Sequence, residues 1–430
     1  MRTVSDGAAL TASMVNNASA ARKTAALGAR LDKLGLSQAA SVLRSVRAVP
    51  TIFPWVDTTL GVGGWPTDRF SIVHGPSNHG KTVFVIGQCL SFVQVGHPAL
   101  FLDAERTTAN SGDWVESLMG DCTRSPLFRL KKPDSYEEIV ELTRKFCEAI
   151  GDAKAKGEVD QDTTGIIVLD SIRKAIPKKL LAQLMQEFAE GAKAGKNDRN
   201  GIDGAGGRAN QIKAALNAQW ADELTALLDQ TGTCLIAIAR EYQNTDQSQW
   251  AQAYKLGGGD GIIFEASVRA RITESKRYTD DEHRLFATEH SVEILKTKVA
   301  GKEERFPRAF FHLASGNEEG IPYGFDRARD VLHLARHLGI IESGTYFPFE
   351  GENLGQGERN ALKTLRANSA LMQRIETKCR FAKMPQDAQV EAVGQNGVVV
   401  VQEGPKTEPS PSKAAAAPRK RAAAGKAAKK

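Results

Sequence analysis

Short β-rich runs alternate with longer amphipathic stretches over residues 51–320 of this chain. Brief runs of apolar and β-branched residues are typical of strands buried on both faces, and the stretches between them have the length and periodicity of helices. This alternation predicts an α/β fold with a mostly parallel sheet flanked by helices. The predicted strands include residues 70–74, 100–102, 166–169, 234–238, 270–272 and 292–295.

The pattern changes on both sides of this core. Residues 1–50 begin as a small, polar segment predicted to be disordered and continue as a basic helix whose spaced leucines need a partner surface. The core is predicted to span residues 51–323, and residues 324–383 to form a small, separate α-rich C-terminal domain. Residues 384–430 are rich in Pro, Ala and Lys and predict a disordered tail, because they cannot bury enough apolar surface to fold alone.

Composition narrows the class of protein without naming it. With 430 residues and 41% hydrophobic content, the chain can bury a core of ordinary size. Its five cysteines lack metal-ligand spacing and predict reduced thiols, and the sequence has no apolar run of membrane-spanning length. We therefore expect a cytoplasmic protein without a membrane partner. The net charge of +6 comes from residues 405–430, which hold eight Lys or Arg and one Glu.

One octapeptide carries the strongest chemical signal. Residues 75–82 read G-P-S-N-H-G-K-T, between a predicted strand at 70–74 and a predicted apolar helix at 83–95. Such a loop turns its backbone N–H groups toward phosphates at the N-terminus of a helix, with the lysine on the β- and γ-phosphates and the threonine hydroxyl on Mg²⁺. The sequence thus predicts a nucleoside-triphosphate site formed by Gly75, Pro76, Ser77, Asn78, His79, Gly80, Lys81 and Thr82.

Acidic residues follow two of the predicted strands. Asp170 ends the apolar run 166–169 and is the expected Mg²⁺ ligand beside Thr82, although a strand-end aspartate can also cap a helix. Glu105 follows the run 100–102 at the carboxyl edge of the sheet, where a general base is needed, and Asp103 is expected to support the nucleotide site. The alternative is that Glu105 and Asp103 are surface acids at the start of a loop.

Two long polar segments, at about 187–211 and 241–259, predict loops that bind single-stranded nucleic acid, and the family resemblance described below implies that they are DNA-binding loops. Flexible basic segments with a few aromatic rings suit single-stranded nucleic acid, because cations contact phosphates and rings stack on bases. Either segment alone could also be a solvated insertion. The candidate DNA-binding residues in and beside them are Lys193, Lys196, Arg199, Arg208, Lys213, Arg240, Tyr242, Trp250 and Lys255.

From about residue 51 to residue 380 the chain resembles the RecA family of recombinases. The resemblance rests on the phosphate loop, on blocks at the predicted strand ends, and on three blocks that are specific to this family. The matching segments are T-L-G-V-G-G-W-P at 59–66, F-L-D-A-E at 101–105, V-L-D-S at 168–171, G-G-D at 258–260 with F-E-A-S-V-R at 264–269, I-L-K-T-K-V-A at 294–300 and G-E-N-L-G-Q-G-E at 351–358.

This resemblance implies a DNA-dependent ATPase that uses ATP and Mg²⁺, polymerises as a helical filament on single-stranded DNA and exchanges strands with double-stranded DNA at the nucleoid. The N-terminal helix would be the polymerisation helix. Lys296 and Lys298 would reach the γ-phosphate of the neighbouring subunit, although two lysines on a strand can also form a solvated edge. Trp114 is the nearest counterpart of the family's adenine-stacking ring.

The chain also departs from the family pattern. Where the family has an Asn-Gln pair that senses the γ-phosphate, this chain has Ala239-Arg240-Glu241, and either Arg240 or Glu241 takes the place of the glutamine. The alternatives to a recombinase are a paralogue that binds DNA or regulates recombination without strand exchange, and a hexameric replicative helicase.

Overall fold

The computed structural model describes residues 27, 29–35, 45–172, 222–243, 254–257, 260–299, 308–317, 321–342 and 344–382, some helical positions between 177 and 220, and the backbone of 388–391 and 399–403. The strands are β1 (Arg47–Val49), β2 (Trp65–Pro66), β3 (Phe70–Gly75), β4 (Ala99–Asp103), β5 (Phe128–Lys131), β6 (Ile166–Asp170), β7 (Cys234–Gln243), β8 (Tyr254–Leu256), β9 (Val268–Thr279), β10 (Leu285–Thr297), β11 (Arg308–Ala314), β12 (Gly324–Phe325), β13 (Tyr346–Phe349), β14 (Glu352–Gln356), β15 (Ala388–Glu391) and β16 (Val399–Glu403). The helices are α1 (Pro54–Leu60), α2 (Lys81–Gln94), α3 (Gly112–Met119), α4 (Tyr136–Ala155), α5 (Asp260–Glu265), α6 (Arg327–His337), α7 (Gly357–Ala367) and α8 (Ser369–Phe381).

A ten-stranded sheet organises the core in the order β12-β11-β10-β9-β3-β7-β6-β4-β5, with β8 paired to β7. Strands β9, β3, β7, β6, β4 and β5 are parallel, whereas β10, β11 and β12 extend the sheet as antiparallel neighbours. The predicted α/β fold with a mostly parallel sheet is therefore confirmed.

Alternating side chains of the central strands enter two apolar clusters, one on each face of the sheet. Phe101, Val168 and Ile236 belong to the cluster that also contains Phe84 of α2. Leu100, Leu169 and Leu235 belong to the second cluster, together with Ile139 of α4. Because both faces are covered, the strands read as continuous apolar runs, and this is why the sequence pattern located them.

Helices α6, α7 and α8 and the hairpin β13–β14 form the predicted C-terminal domain, and its apolar residues continue the first of the two core clusters. Arg380 of α8 is partly buried, with 17% of its side chain exposed, and it joins this domain to the core through the buried Asp57 of α1. Its Nη2 donates to the Thr51 carbonyl oxygen at 2.6 Å. The burial of this pair fixes the domain against helix α1.

The structure describes parts of the two segments that flank the core, so their predicted structures can be compared with it. Residues 29–33 are helical, and the nearby Leu27, Leu31 and Leu34 are exposed. The expected disorder of residues 384–430 does not hold throughout, because β15 and β16 pair antiparallel and β16 pairs with β1. The four consecutive valines at 398–401 favour extended backbone, which explains a strand within this segment.

Candidate nucleotide site

The phosphate loop leaves β3 and enters α2 at the carboxyl edge of the sheet. Two glycines permit this path. A Cβ on Gly75, whose φ is 149°, would lie 2.1 Å from the Ile272 carbonyl oxygen, and a Cβ on Gly80, whose φ is 89°, would lie 2.7 Å from Nδ1 of His290. Only glycine combines these backbone angles with such close neighbours.

Strands β9 and β10 brace the loop from the side. The backbone N–H of Glu274 donates to Nδ1 of His79 at 2.9 Å, and Nδ1 of His290 donates to the His79 carbonyl oxygen at 3.1 Å. The His290 ring stacks on Phe311, with ring centroids 4.9 Å apart. His290 was not among the predicted site residues, since no local motif marks it and only the strand pairing brings it to the loop.

The lysine and the threonine of the loop each make a side-chain hydrogen bond at the site. Nζ of Lys81 donates to the Pro76 carbonyl oxygen at 2.5 Å, and Oγ1 of Thr82 donates to Oδ2 of Asp170 at 2.8 Å. Burial raises the pKa of Asp170 to about 6, and the charges of Glu105 and Asp103 add to this effect. Burial lowers the pKa of Lys81, against the opposing effect of Asp170. A buried carboxylate beside a loop hydroxyl is a favourable place for a cation.

Glu105 lies next to this carboxylate. Strands β4 and β6 are in register with Asp103 opposite Asp170, and the N–H of Glu105 donates to the Asp170 carbonyl oxygen at 3.1 Å. Oγ of Ser171 donates to Oε1 of Glu105 at 2.6 Å. Asp103 is fully buried and accepts the backbone N–H groups of Thr107 and Ala109, so its carboxylate shapes the turn that carries Glu105.

Arg240 reaches the same carboxylate from strand β7. Its Nη2 lies 3.0 and 3.1 Å from the two oxygens of Glu105, and Arg240 pairs with Gly75 in the sheet. Glu241 instead accepts from Nε of Arg271 at 2.8 Å and contacts Nδ1 of His74 at 2.8 Å. Of the two residues that could take the place of the family's glutamine, Arg240 is therefore the one at the predicted base.

A cavity of about 380 Å³ opens beside the loop. It is bounded by Lys81 and Thr82 on one side and by Trp114 of α3 on the other. The indole N–H of Trp114 donates to the Tyr323 hydroxyl at 3.0 Å, and Tyr323 also lines the cavity. Trp114 therefore lines the cavity beside the phosphate loop, and its contact with a base stays a prediction. Tyr323 is a second lining ring that the sequence did not indicate, because it lies 209 residues from Trp114 along the chain.

Lys296 and Lys298 lie away from the phosphate loop of their own chain. Lys296 pairs with Arg269, which pairs with Ile72, so the lysine is three residues back from Gly75 and two strands to the side. This amounts to about 10 Å along the strands and about 10 Å across them. Nζ of Lys296 donates to the carbonyl oxygen of Phe264 at 2.5 Å, and both ammonium groups lie within 6 Å of the exposed Phe264 ring.

The predicted DNA-binding residues fall mainly beyond the described part of the chain. Tyr242 is 40% exposed at the end of β7, and Lys255 lies on β8, of which only the backbone position can be given. Arg240 contacts Glu105 rather than projecting from the loop. Lys193, Lys196, Arg199, Arg208, Lys213 and Trp250 lie outside the described residues.

The fold and the site define a P-loop nucleotide-binding protein with a group of carboxylates at the carboxyl edge of a mostly parallel sheet. A family model described as the RecA N-terminal domain matches residues 27–314, and one described as the RecA C-terminal domain matches residues 329–383. The chain belongs to the RecA family of ATP-dependent recombinases.

Individual relatives agree with this assignment at low identity. Protein RecA of Nitratidesulfovibrio vulgaris is 27% identical over 335 residues, which cover 78% of this chain and 81% of that protein. Protein RecA 1 of Myxococcus xanthus is 28% identical over 339 residues, covering 77% and 83%. Protein RecA of Mannheimia haemolytica is 28% identical over 349 residues, covering 81% of each chain. Within the described residues, no helix is long and apolar enough to cross a membrane.

Proposed function

We propose that this chain hydrolyses ATP while polymerised on single-stranded DNA, and that the filament pairs this strand with homologous double-stranded DNA and exchanges the strands. The observation that carries the proposal is the meeting of Lys81, the Thr82–Asp170 pair and Glu105 at one edge of the sheet. These groups supply a phosphate contact, a cation site and a base, which are the parts that phosphoryl transfer to water requires.

The residues present fit Mg²⁺. Oγ1 of Thr82 and Oδ2 of Asp170 are 2.8 Å apart, close to the edge of about 2.9 Å of an oxygen octahedron with bonds of 2.0 to 2.1 Å. Mg²⁺ bound there would neutralise charge on the β- and γ-phosphates. Lys81 would exchange its contact with the Pro76 carbonyl for the phosphates, and the loop N–H groups would hold them in line.

Glu105 is the group we assign to activate the water. Its carboxylate accepts from Ser171, and its backbone N–H donates to the Asp170 carbonyl oxygen, so Glu105 is held beside Asp170. Accepting the proton of the attacking water at Glu105 requires a free oxygen lone pair, and Arg240 contacts both oxygens of this carboxylate. We infer that turnover begins when the guanidinium of Arg240 leaves Glu105 for the phosphate charge.

The lysines of β10 support a filament. Because Lys296 and Lys298 sit toward the amino end of β3, their ammonium groups are remote from the loop of their own chain. Their contacts with Phe264 and Glu265 are exposed, so a second copy could reach them. A neighbouring subunit that presents its nucleotide there would receive two cations at its γ-phosphate. Exposed Leu27, Leu31 and Leu34 give the N-terminal helix an apolar surface for the adjacent copy.

One observation favours a second function. A base held by Arg240 is consistent with a chain that binds DNA as a filament and turns ATP over slowly without exchanging strands. A strand-exchange assay separates the two functions.

The test uses the full chain with circular single-stranded DNA, homologous linear duplex, ATP and Mg²⁺. We expect helical filaments by electron microscopy and joint molecules that depend on homology, and neither filament turnover nor joint molecules in Lys81→Ala. Filaments without joint molecules would support the paralogue, and closed rings that unwind duplex would support a helicase.

A further inference from the structure

A second cluster of chemically active side chains lies where the C-terminal domain meets the sheet. Glu289 of β10 and His312 of β11 are directly opposite each other in the antiparallel pair, and His333 of α6 lies above them. One ligand atom from each of these three residues lies within 4.8 Å of the other two. The rings of His312 and His333 meet edge to face, with centroids 4.7 Å apart. None of these residues takes part in the nucleotide site.

Both ring nitrogens of His312 face carboxylate oxygens, and neither faces a hydrogen-bond donor. Oδ1 of Asp330 accepts the backbone N–H of His312 at 2.8 Å and its Nδ1–H at 2.7 Å. The other nitrogen, Nε2, lies 3.2 Å from Oε2 of Glu289. With a proton on Nδ1 alone, these two atoms are both lone-pair acceptors, so the contact needs either a second proton on Nε2 or a metal cation between the two atoms.

The carboxylates around His312 have few other cationic partners. Glu289 accepts from the hydroxyls of Ser275 and Tyr278. The carboxylate of Asp330 accepts from the backbone nitrogen and from Nδ1 of His312. The nearby guanidinium groups are already paired, because Arg329 and Arg336 both contact Glu358, which also lies 3.2 Å from Nε2 of His333. Among the described residues, the ion pairs of Glu289 and Asp330 involve His312 alone, so a divalent cation would balance the negative charge of these two carboxylates.

We propose that Glu289, His312 and His333 bind a zinc ion that joins the C-terminal domain to the sheet of the core. Two imidazoles and a carboxylate form a ligand set suited to Zn²⁺, which prefers tetrahedral geometry with bonds of about 2.0 to 2.2 Å. The edge of such a tetrahedron is about 3.3 Å, and Nε2 of His312 and Oε2 of Glu289 are already 3.2 Å apart.

Asp330 is the positioning residue of this site. A zinc-bound histidine commonly donates its other N–H to a carboxylate, which fixes the tautomer and the orientation of the ring. Asp330 does this for His312 and lies three residues before His333 on helix α6, so one helix supplies both a ligand and the group that orients another ligand. His333 is partly exposed, with 15% of its side chain accessible, which leaves a path for the ion and a fourth position for water.

The test measures metal binding by the full, metal-free chain in excess Mg²⁺, with Co²⁺ as the spectroscopic probe and Zn²⁺ as the competitor. We expect one Co²⁺ per chain with the intense visible bands of four-coordinate cobalt, and displacement by Zn²⁺. His333→Gln and Glu289→Gln should lose these bands. Asp330→Asn should weaken affinity by about 10- to 100-fold, the usual effect of removing a group that orients a metal-bound histidine.

His337→Gln is the matched control, because His337 lies on the same helix outside the cluster and should bind as the unmodified chain does. Circular dichroism melts of each variant establish that it is folded before its affinity is compared. A folded unmodified chain that binds no Co²⁺ or Zn²⁺ would overturn the proposal and leave a proton between His312 and Glu289. Equal affinity in the unmodified chain and in both ligand variants would overturn it as well.

Discussion

At the scale of single residues, the contacts of Glu105 determine the conformation of the nucleotide site before nucleotide binds. Glu105 has the position of a base, but Ser171 and Arg240 both donate to it, and Asp103 holds the turn that carries it. Arg240 is 39% exposed and Glu105 is 18% exposed, so their ion pair is partly screened by solvent. Such a pair contributes about 1 kcal/mol or less. It can therefore restrain the carboxylate and still be broken by phosphate charge.

Replacing the base should separate nucleotide binding from hydrolysis. Glu105→Gln keeps the size and the hydrogen bonds of the side chain and removes its basicity, so we expect ATP binding to persist and DNA-stimulated turnover to fall by about 10²- to 10⁴-fold. Lys81→Ala should abolish productive binding, because it removes the cation that contacts the phosphates. Binding is measured by titration with a fluorescent nucleotide and turnover by phosphate release. Unchanged turnover in Glu105→Gln would show that Glu105 is not the general base.

Arg240 should act as a restraint on the base. In Arg240→Gln the ion pair is lost, and we expect ATP turnover without DNA to rise by about five-fold, the equivalent of about 1 kcal/mol. The matched control is Arg284→Gln, which removes an exposed guanidinium that pairs with Asp280 in the β9–β10 hairpin. Turnover that stays equal or falls in Arg240→Gln, with the control unchanged, would mean that Arg240 does not hold Glu105 back.

A buried histidine beside the phosphate loop gives the fold a pH dependence. Burial lowers the pKa of His74 to about 4, against the opposing effect of Glu241. The unfolded chain binds this proton near pH 6.5, so stability that is present above pH 6.5 is lost as the pH falls toward 4. Between pH 7 and pH 5 the loss amounts to about 2 kcal/mol.

His74→Gln should therefore flatten the decline in unfolding free energy between pH 7 and pH 5, whatever its effect on stability at pH 7. Urea unfolding at the two pH values measures this difference. His283→Asn provides the control, because His283 is exposed in a turn with a φ of 62°, a backbone angle that asparagine tolerates. A decline as steep in His74→Gln as in the control would show that His74 is not the titrating group.

At the scale of elements, strand β10 serves two separate surfaces. Near its start, His290 braces the phosphate loop of its own chain. At its end, Lys296 lies beside Arg269, toward the amino end of the parallel strands. Because β10 runs antiparallel to β9, one strand connects the loop of its own chain with a surface that a neighbouring copy can reach.

The two lysines should act in trans. Lys296→Ala should retain nucleotide binding and lose DNA-dependent hydrolysis, and mixing it with Lys81→Ala should recover part of the activity. Recovery is expected because some interfaces then join an intact loop to intact lysines. Lys131→Ala, which removes an exposed cation from edge strand β5, is the control. It should hydrolyse ATP normally, and mixing it with Lys81→Ala should not raise its activity. If mixed filaments recover no activity at any ratio, the lysines act within their own subunit or only stabilise the fold.

At the scale of the whole molecule, the formal net charge is concentrated in one segment of the sequence. Residues 405–430 carry a formal charge of +7, from eight Lys or Arg and one Glu, so the remainder of the chain is close to neutral. This segment has no aromatic residue that could stack on bases. Its contribution to DNA binding is therefore expected to be electrostatic and independent of sequence.

Removing this segment should change the salt dependence of DNA binding. Each phosphate engaged on a single strand contributes about −0.7 to the slope of log affinity against log salt, so engagement of half the tail cations predicts a slope flatter by roughly 3 in a chain ending at Gly404. ATPase activity at saturating DNA should barely change, because the catalytic groups lie in the core. Single-strand affinity measured from low to moderate salt checks this, and equal slopes would show that the tail does not contact DNA.

The sequence by itself determined the parts of this protein that depend on neighbours along the chain. The loop at residues 75–82, the acids at the ends of β4 and β6 and the order of strands and helices follow from local spacing and from apolar runs, since strands buried on both faces must be apolar. Lys81, Thr82, Asp170 and Glu105 could be named because parallel strands bring their carboxyl ends to one edge of a sheet.

Only the tertiary structure decided what depends on strand order and register. Arg240 and Glu105 are 135 residues apart, and the alternation of side chains along β7 turns Arg240, rather than Glu241, toward the base. His290, Tyr323 and the Glu289–His312–His333 cluster are likewise assembled from distant segments. Their positions follow from which strands pair and how a domain packs on them, and the pattern of residues within any one element does not encode that pairing.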